Sequence, residues 1–330
     1  MKNGYIIGVD IGGTKIATGL VTGDAEVVER VVLSTPTEKE GDRVLEQVYR
    51  SIDETIEKSN VDWSQIAGIG VVAPGPLNPR TGVLLYAPNI PGFKNVPILK
   101  TIQTRYDVPT LVENDANAAG LAEALFGAGV GYQYVLYVTV STGIGTGIII
   151  NQQIYQGKNG AAAEGGHIPI NYQGPLCSCG QRGCIEAYAS GTALARRAQA
   201  ILRATNAPSK IRTLVTDDLE QVTPVVISEA AGLGDEFALE LIRETGEYLG
   251  IWLGSMMSLL DPDIIIIGGG LSSIGERLFS TIRQTIPSPT INPSPEEVLI
   301  VPARLQSDVG ILGAAALHRP TRAWSREPSV

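Results

Sequence analysis

Cysteine and histidine are scarce in this chain, whose 330 residues include three cysteines and two histidines. All three cysteines lie between positions 177 and 184, so disulfides cannot link distant parts of the chain. Basic residues are also outnumbered: 25 Lys and Arg stand against 34 Asp and Glu, which gives a net charge of −9. This balance argues against a nucleic-acid-binding protein, because such a protein needs a basic face.

Apolar runs of transmembrane length are missing from the sequence. The N-terminal MKNGYIIGVDIGGTK reaches an aspartate and a glycine cluster too early for a signal peptide. We therefore expect no contact with a membrane, and free thiols suited to a metal favour the reducing cytoplasm. Hydrophobic residues make up 44% of the chain and charged residues 18%, a globular composition with enough length for two domains.

Residues 164–186 (EGGHIPINYQGPLCSCGQRGCIE) contain all three cysteines and one of the two histidines. His167, Cys177, Cys179 and Cys184 supply one nitrogen and three sulfur ligands, a set typical of a closed, structural zinc site. Glycines and a proline between them allow the loop to bend sharply. The alternative interpretation is a disulfide with one remaining thiol, or three separate core cysteines.

A glycine turn follows the first predicted strand, residues 5–10, and precedes the second, residues 16–22. The turn consists of Gly12, Gly13, Thr14 and Lys15 and leaves no room for a helix, so we expect a β-hairpin and not a P-loop. Backbone N–H groups in such a turn can bind a phosphate. Asp10, at the end of the first strand, could hold Mg²⁺ through water. An ordinary hairpin turn is the alternative.

A second glycine turn lies between predicted strands 134–142 and 145–151 and includes Gly143. The two strand-turn-strand segments indicate a weak internal duplication, although two glycine hairpins can also resemble each other by chance. Two such turns facing each other across a cleft would hold a polyphosphate from both sides.

Strands and helices alternate along the rest of the chain, which predicts two α/β domains with mixed sheets and a cleft between them. Residues 78–96 are expected to be loop-rich, and residues 319–330 a disordered tail. Further predicted strands are 26–33, 66–73, 110–113, 264–267 and 298–301, and predicted helices are 38–59, 96–105, 116–127, 191–204, 224–232, 236–260, 273–285 and 308–317.

Several strands end in residues suited to ligand binding, because open α/β sheets bind ligands at the carboxyl ends of their strands. These are Gly75 between two prolines, Asn114 and Asp115, and the run from Gly268 to Gly270. Asp115 is either a catalytic carboxylate or a cap for the helix that follows.

The sequence resembles the ROK family (repressor, open reading frame, kinase) of sugar kinases in the actin-like ATPase superfamily. The resemblance covers residues 5–317. It depends on DIGGTK (10–15), END (113–115), STGIGTG (141–147), EGGH (164–167) and CSCGQRGCIE (177–186). It implies a two-domain actin-like ATPase fold, similar to ribonuclease H, with mixed sheets and an interdomain cleft. The implied domains are 1–115 with about 305–318, and 116–304 with the cysteine loop.

The resemblance also implies roles for individual residues, with Asp115 as the catalytic base. The implied sugar-binding residues are Gly75 through its backbone, Asn89, Asn114, Asp115, Glu164, His167 and Glu186. The implied ATP-binding residues are Asp10, Gly12, Gly13, Thr14, Lys15, Thr142, Gly143, Gly268 and Gly269. From the residues alone, Glu164 and Glu186 could equally be solvated carboxylates or partners of the zinc ligands.

The leading hypothesis is an ATP- and Mg²⁺-dependent kinase of the glucose 6-hydroxyl, with structural Zn²⁺. The alternatives are an N-acetylmannosamine or N-acetylglucosamine kinase, a sugar sensor without catalysis, and polyphosphate as the phosphoryl donor. Family repressors carry a helix-turn-helix before the DIGGTK-like strand, and only four residues precede Tyr5, so we expect no repressor. The resemblance further suggests a homo-oligomer, a dimer or a tetramer. Gly165 departs from the family, in which a bulkier residue often precedes the second glycine.

Overall fold

The computed structural model describes residues 4–36, 41–87, 90, 92–205, 208–288 and 290–319. Strands and helices alternate throughout, as the sequence predicts. The elements up to residue 140 are β1 (Tyr5–Ile11), β2 (Lys15–Val21), β3 (Val27–Ser34), α1 (Gly41–Ser59), β4 (Ile66–Ala73), β5 (Leu77–Asn78), β6 (Val83–Tyr86), β7 (Lys94–Pro97), α2 (Ile98–Tyr106), β8 (Thr110–Asn114), α3 (Asp115–Phe126) and β9 (Tyr134–Val140).

The remaining elements include the longest helix of the described chain, α8. They are β10 (Ile144–Ile150), β11 (Gln153–Ile154), α4 (Glu186–Ala189), α5 (Gly191–Ala204), α6 (Lys210–Leu214), α7 (Pro224–Gly232), α8 (Glu236–Leu260), β12 (Ile264–Gly268), α9 (Glu276–Thr285), β13 (Leu299–Pro302) and α10 (Val309–Ala316). Among the described residues, no helix is long and apolar enough to cross a membrane.

The described strands form three sheets. Their orders are β3-β2-β1-β4-β8, β11-β10-β9-β12-β13 and β5-β6-β7. The first sheet is mixed: β1 is antiparallel to β2 and parallel to β4, which is parallel to β8. The predicted hairpin is therefore confirmed, with Ile11 opposite Ile16 at the turn.

The three-stranded sheet corrects one expectation, because residues 78–96 were predicted to be loop-rich. Two of its strands, β6 and β7, pair antiparallel within that segment, and β5 pairs with β6 at its edge. The strands are only two to four residues long and carry prolines nearby, so their sequence lacks a clear period-2 pattern. Asn89 lies outside the described residues, as do most residues of the predicted C-terminal tail.

The chain divides into two compact units. The first unit contains residues 1–137, 147–163 and 304–330, and the second contains residues 138–146 and 164–303. The domain boundaries expected from the family resemblance stay a prediction.

Alternating residues of β1 fill two cores in the first unit. Ile7, Val9 and Ile11 join a cluster with residues of α1 and α2, whereas Ile6 belongs to a cluster with α3 and α10. Helix α10 lies unusually close to the sheet: a Cβ atom at Gly70 would be 1.8 Å from the carbonyl oxygen of Ala314. Only glycine permits this approach, and it brings the first turn of α10 against the end of β1.

The second unit contains α8, which spans the predicted residues 236–260 and has Asp235 as its N-cap. In its last turns Trp252 and Leu253 are completely covered, whereas Ile251 and Leu259 are exposed. The predicted central strand corresponds to β12, which is buried along its length and runs parallel to β13. The predicted helix 273–285 begins only at Glu276, because residues Gly270–Ile274 form a 3-10 turn.

Candidate functional site

Asn114 and Asp115 lie where β8 ends and α3 begins. The N-cap of α3 is Asn114, whose Oδ1 accepts hydrogen bonds from the N–H groups of Ala116 (2.9 Å) and Asn117 (3.1 Å). Asp115 is the first residue of the helix, and its Oδ1 accepts from Ala116 N–H at 2.8 Å. Since Asn114 already caps the helix, capping does not explain the carboxylate of Asp115.

The carboxylate of Asp10 lies at the end of β1, against the first turn of α10. A Cβ atom at Gly310 would be 2.2 Å from Oδ2 of Asp10, so a glycine is required there. Burial and, to a smaller extent, the nearby Asp115 carboxylate raise the pKa of Asp10 to about 7, although Lys15 opposes the shift. Burial also raises the pKa of Asp115, while the Ala116 N–H and the Asn114 side chain lower it.

The pairing of two carboxylates with raised pKa values is typical of a cation or proton-transfer site. A divalent cation would offset both the burial and the mutual repulsion of Asp10 and Asp115. Two aspartate carboxylates of one unit are a donor set that Mg²⁺ can use, whereas the sequence suggested Asp10 alone, and magnesium binding stays a prediction.

The first glycine turn is closed by a hydrogen bond from Gly12 N–H to the Lys15 carbonyl oxygen at 2.9 Å. The same Lys15 oxygen would lie 2.9 Å from a Cβ atom at Gly12, which explains the glycine. Gly13, Thr14 and Lys15 are exposed at the tip. Phosphate binding by the backbone of this turn stays a prediction.

The second glycine turn comprises residues 141–143 and is closed by Ser141 N–H donating to the Gly143 carbonyl oxygen at 2.9 Å. Glu186, the first residue of α4, reaches this turn: its Oε2 accepts from Ile144 N–H at 2.9 Å. A Cβ atom at Gly143 would lie 2.5 Å from the same Oε2. The glycine therefore permits the carboxylate to lie directly against the turn.

His167, Cys177, Cys179 and Cys184 converge, as the spacing predicted. Their ligand atoms all lie within 4.8 Å of one another. Cys177 Sγ is 3.6 Å from His167 Nδ1, and Cys179 Sγ is 3.7 Å from Cys184 Sγ. A disulfide requires about 2.05 Å between sulfurs, so the described cysteines are free thiols.

These distances suit a tetrahedral ion. Zn–S bonds of about 2.3 Å give sulfurs about 3.8 Å apart at the corners of a tetrahedron. Burial and the neighbouring Cys179 and Cys177 raise the pKa of Cys184 to about 12, so thiolates gathered here need a cation. His167 presents Nδ1 to the cluster, which leaves Nε2 available for another partner.

The backbone of the cysteine loop is held by its own hydrogen bonds and by two glycines in the left-handed region. Gly180 has φ = 90° and Gly183 has φ = 77°. Gly183 is also crowded, because a Cβ atom there would be 1.6 Å from the Asn171 carbonyl oxygen. Ser178 connects this loop to Glu186, donating from Oγ to Oε1 at 3.1 Å.

Glu164 precedes the 3-10 turn Gly165–His167 and is exposed. The departure at Gly165 has a structural reason, since its N–H donates to Thr146 Oγ1 at 2.9 Å. A Cβ atom at Gly165 would lie 2.7 Å from that oxygen, and one at Gly166 would lie 2.0 Å from the Ile144 carbonyl oxygen. A larger residue at position 165 would therefore displace the segment that carries His167.

A cavity of about 740 Å³ in the second unit includes functional candidates that sequence reasoning missed. It begins at Thr142 of the second glycine turn and extends between α5 and α7 to Gly270. Thr192 connects α5 to the second glycine turn, because its Oγ1 donates a hydrogen bond to the Thr142 carbonyl oxygen at 2.8 Å. The unpredicted lining residues include Thr192, Arg196, Gln199, Thr223, Val225 and Glu229.

Gly268 and Gly269, predicted for nucleotide binding, end β12 next to this cavity, which is lined by Gly270 itself. Gly269 has φ = 81°, and a Cβ atom there would be 2.4 Å from the Val140 carbonyl oxygen. Gly75 follows β4 and precedes Pro76 in a cis peptide bond. Among the cavity residues that sequence reasoning missed, Thr223 carried a signal. It precedes Pro224, which indicates an N-cap and the start of a helix but no chemistry.

The sequence profile of the ROK family matches residues 6–320. A glucokinase from Streptomyces coelicolor is 36% identical over 318 residues, 96% of this chain and 98% of that protein. A glucokinase from Thermotoga maritima is 34% identical over 312 residues, 94% of this chain and 96% of that protein. A crystal structure of a ROK family glucokinase from Streptomyces griseus, in complex with glucose and AMPPNP, matches with a TM-score of 0.82 and 35% identity, and covers 95% of this chain and 99% of that one.

The match to the Streptomyces griseus structure spans nearly all of both chains, which confirms the predicted mixed α/β, actin-like ATPase fold. The profile match also begins one residue after Tyr5 and ends just past α10, so it includes every motif on which the resemblance was based. The chain therefore belongs to the ROK family.

Proposed function

We propose that this chain is an ATP-dependent glucokinase that phosphorylates the 6-hydroxyl of glucose. The observation that carries the proposal is the Asp115 carboxylate, which begins α3 while Asn114 supplies the cap. Glucokinases from two organisms are similar over almost their whole length, and the similar solved structure contains glucose and a nucleotide analogue.

Asp115 is proposed as the base that accepts the proton of the attacking hydroxyl. Phosphoryl transfer depends mainly on positioning and charge neutralisation, together with a carboxylate that receives this proton. A burial-raised pKa improves a carboxylate as a base. The Oδ1 of Asn114 is used by the helix cap, so we expect Asn114 to contact the sugar as a donor through Nδ2.

The remaining sugar-binding roles are proposed for Glu164, His167 and Glu186, with the backbone of Gly75 and the side chain of Asn89. His167 can serve in this way because the thiol cluster faces Nδ1 and leaves Nε2 available. Glu186 Oε2 accepts one bond, from Ile144 N–H, and retains a lone pair for a sugar hydroxyl, whereas Oε1 accepts from Ser178 Oγ and from the Cys177 thiol.

ATP phosphates are proposed to bind the backbone at Gly12, Gly13, Thr14 and Lys15, and at Thr142 and Gly143. Asp10 would hold Mg²⁺, which neutralises phosphate charge when bound. The nucleoside is assigned to Gly268, Gly269 and the adjoining cavity, whose volume of about 740 Å³ lies in the usual range for small-molecule sites.

We also propose that His167, Cys177, Cys179 and Cys184 bind a structural Zn²⁺ ion. Four protein ligands would fill the coordination sphere of a tetrahedral ion, so the ion would stabilise the loop and take no part in the reaction. The expected domains, 1–115 with about 305–318 and 116–304, and the expected homo-oligomer belong to the same proposal.

The decisive experiment is an ADP-release assay with glucose, mannose, fructose and N-acetylated hexosamines, with ATP and polyphosphate as donors. We expect glucose with ATP to give the highest kcat/KM. Asp115→Asn should lower kcat by about 100- to 10,000-fold while glucose binding persists. Asp107→Asn, an exposed aspartate in the left-handed region where asparagine is tolerated, is the matched control. Purified protein that released no ADP with any of these sugars would contradict the proposal.

The zinc proposal has a separate test. Cys179→Ser should lose zinc, measured by elemental analysis, and should weaken glucose binding, although Cys179 is not proposed to touch sugar. If the zinc-free variant bound glucose as tightly as the wild type, the loop would stabilise the fold without shaping the sugar site.

A further inference from the structure

Glu113 is a buried carboxylate to which the proposed reaction gives no role. It precedes Asn114 in β8 and only 1% of its surface is exposed. Burying such a group is costly unless its oxygens are hydrogen-bonded. Glu113 meets this requirement: Oε1 accepts from Asn114 N–H (2.9 Å) and Asn117 Nδ2 (3.2 Å), and Oε2 accepts from Gln156 Nε2.

Two of these partners stand on either side of Asp115. Asn114 caps α3, and Asn117 completes its first turn by donating its N–H to Asn114 Oδ1. Asp115 itself bonds to the N–H of Ala116, the same group that bonds to Asn114. The direction of the Asp115 carboxylate therefore depends on the first turn of α3, and Glu113 stabilises this turn through its hydrogen bonds with Asn114 and Asn117.

Gln156 contributes from a distant part of the chain, just after β11. Through it, Glu113 ties the start of α3 to the antiparallel pairing of Ile149 and Ile150 with β11, which lies in the same unit. Gln156 is partly buried, and both side chains line a surface cleft of about 690 Å³. The turn that carries Asp115 is thus stabilised by the contact between Glu113 and Gln156, two residues far apart in the sequence.

We propose that Glu113, held by Gln156, is a positioning residue that fixes the turn carrying the proposed base Asp115. This inference rests on the proposed function for its kinetic consequence, but its structural content does not. All three partners of Glu113 are N–H donors, which explains a carboxylate at this buried position, because a carboxylate has acceptor sites on both oxygens.

The hydrogen bond between Glu113 and Gln156 can be tested by exchanging the carboxylate and the amide between the two positions. Gln156→Glu places two carboxylates face to face and should break the contact. Combining it with Glu113→Gln restores one amide and one carboxylate in the pair, and the new amide oxygen can still accept from Asn114 and Asn117. Glu113→Gln alone should be mild, because the Gln156 amide can turn over and present its oxygen. Glu113→Ala leaves all three donors without this acceptor.

We expect Glu113→Ala and Gln156→Glu each to lower kcat at least tenfold. A displacement of the base by about 1 Å is enough for losses near 100-fold. The exchanged double variant should return to within about threefold of the wild type, as should Glu113→Gln. KM for ATP should stay within about twofold throughout. Equal kcat values for folded Glu113→Ala and the wild type, or a double variant no better than Gln156→Glu, would overturn the inference.

Glu123→Ala is the matched control for Glu113→Ala. Glu123 is a buried carboxylate on α3, the helix that follows Glu113, and it accepts hydrogen bonds from the backbone N–H groups of Ala128, Arg304 and Leu305. Its loss should reduce stability while leaving kcat of the folded protein within about twofold. If the Glu113→Ala variant and the Glu123 control lost kcat equally for the same loss of stability, Glu113 would be a structural residue only.

Amide hydrogen exchange of the unliganded protein separates this inference from the proposed function. In Gln156→Glu and Glu113→Ala, the N–H groups of Ala116 and Asn117 should exchange at least tenfold faster, relative to amides in the middle of α3. A merely structural role would accelerate the whole helix together. Wild-type protein without kinase activity would contradict the proposed function, and the exchange pattern would still decide whether Glu113 fixes the turn.

Discussion

Asp10→Asn is expected to stabilise the unliganded protein while abolishing its proposed activity. Burial and the Asp115 carboxylate raise the pKa of Asp10 from 3.8 to about 7 in the folded protein. The folded state thus holds this proton more tightly than the unfolded chain, whose pKa is near 3.8. The contribution of protonated Asp10 to the stability of the wild type should therefore be complete below about pH 4, and it should be lost as the pH rises towards 7.

The size of this loss follows from the two pKa values. Each tenfold change in an ionisation constant corresponds to about 1.4 kcal/mol, so the ionised carboxylate costs up to about 4 kcal/mol above pH 7. Asp10 retains some surface exposure, which makes this figure an upper limit. Asparagine has nearly the same shape and no charge, so the variant should match the wild type near pH 4 and exceed its stability at pH 8.

The assay is thermal and urea unfolding at several pH values between 4 and 8, without divalent cations. Asp24→Asn, an exposed aspartate of the same unit, is the control and should follow the wild-type profile. Adding Mg²⁺ at pH 8 should stabilise the wild type and have little effect on Asp10→Asn. Parallel stability profiles for the wild type and Asp10→Asn over the whole pH range would refute the reasoning.

Two further predictions concern the cysteine loop. Gly183→Ala should destabilise the loop and lower its zinc content, because the added Cβ would meet the Asn171 carbonyl oxygen at 1.6 Å. Gly180→Ala shares the left-handed φ but has open space, so it should retain more zinc in the same elemental analysis. Ser178→Ala removes the hydrogen bond to Glu186 and should raise KM for glucose by about 2- to 10-fold with zinc content unchanged. An unchanged KM would show that Ser178 does not orient Glu186.

The sequence was sufficient for features whose chemistry is local. The cysteine loop was predicted from the spacing of four ligands, and its convergence is confirmed by distance. The N-cap at Thr223 with proline following, and the buried strand of four isoleucines, also follow from local rules and are present. Each of these patterns leaves few alternative structures for the backbone.

Other features depended on contacts that sequence does not reveal. Asparagine and aspartate are equally good helix caps, so only the structure could assign the cap to Asn114 and leave Asp115 for chemistry. The cavity between α5 and α7 has no residue pattern of its own, since its walls come from segments far apart. Glu113 accepts a hydrogen bond from Gln156, 43 positions away, and nothing in the sequence near either residue indicates the other.

Within the second unit, Glu186 connects the cysteine loop, proposed to shape the sugar site, to the second glycine turn, proposed to bind ATP phosphates. One oxygen is bonded to Ile144 N–H of the second glycine turn, and the other to Ser178 of the cysteine loop. A displacement of the loop must therefore move the carboxylate, and a displaced carboxylate must either release the turn or pull it along. In the proposed site, sugar recognition and phosphate positioning would therefore share the Glu186 carboxylate, as expected where phosphoryl transfer depends mainly on orientation.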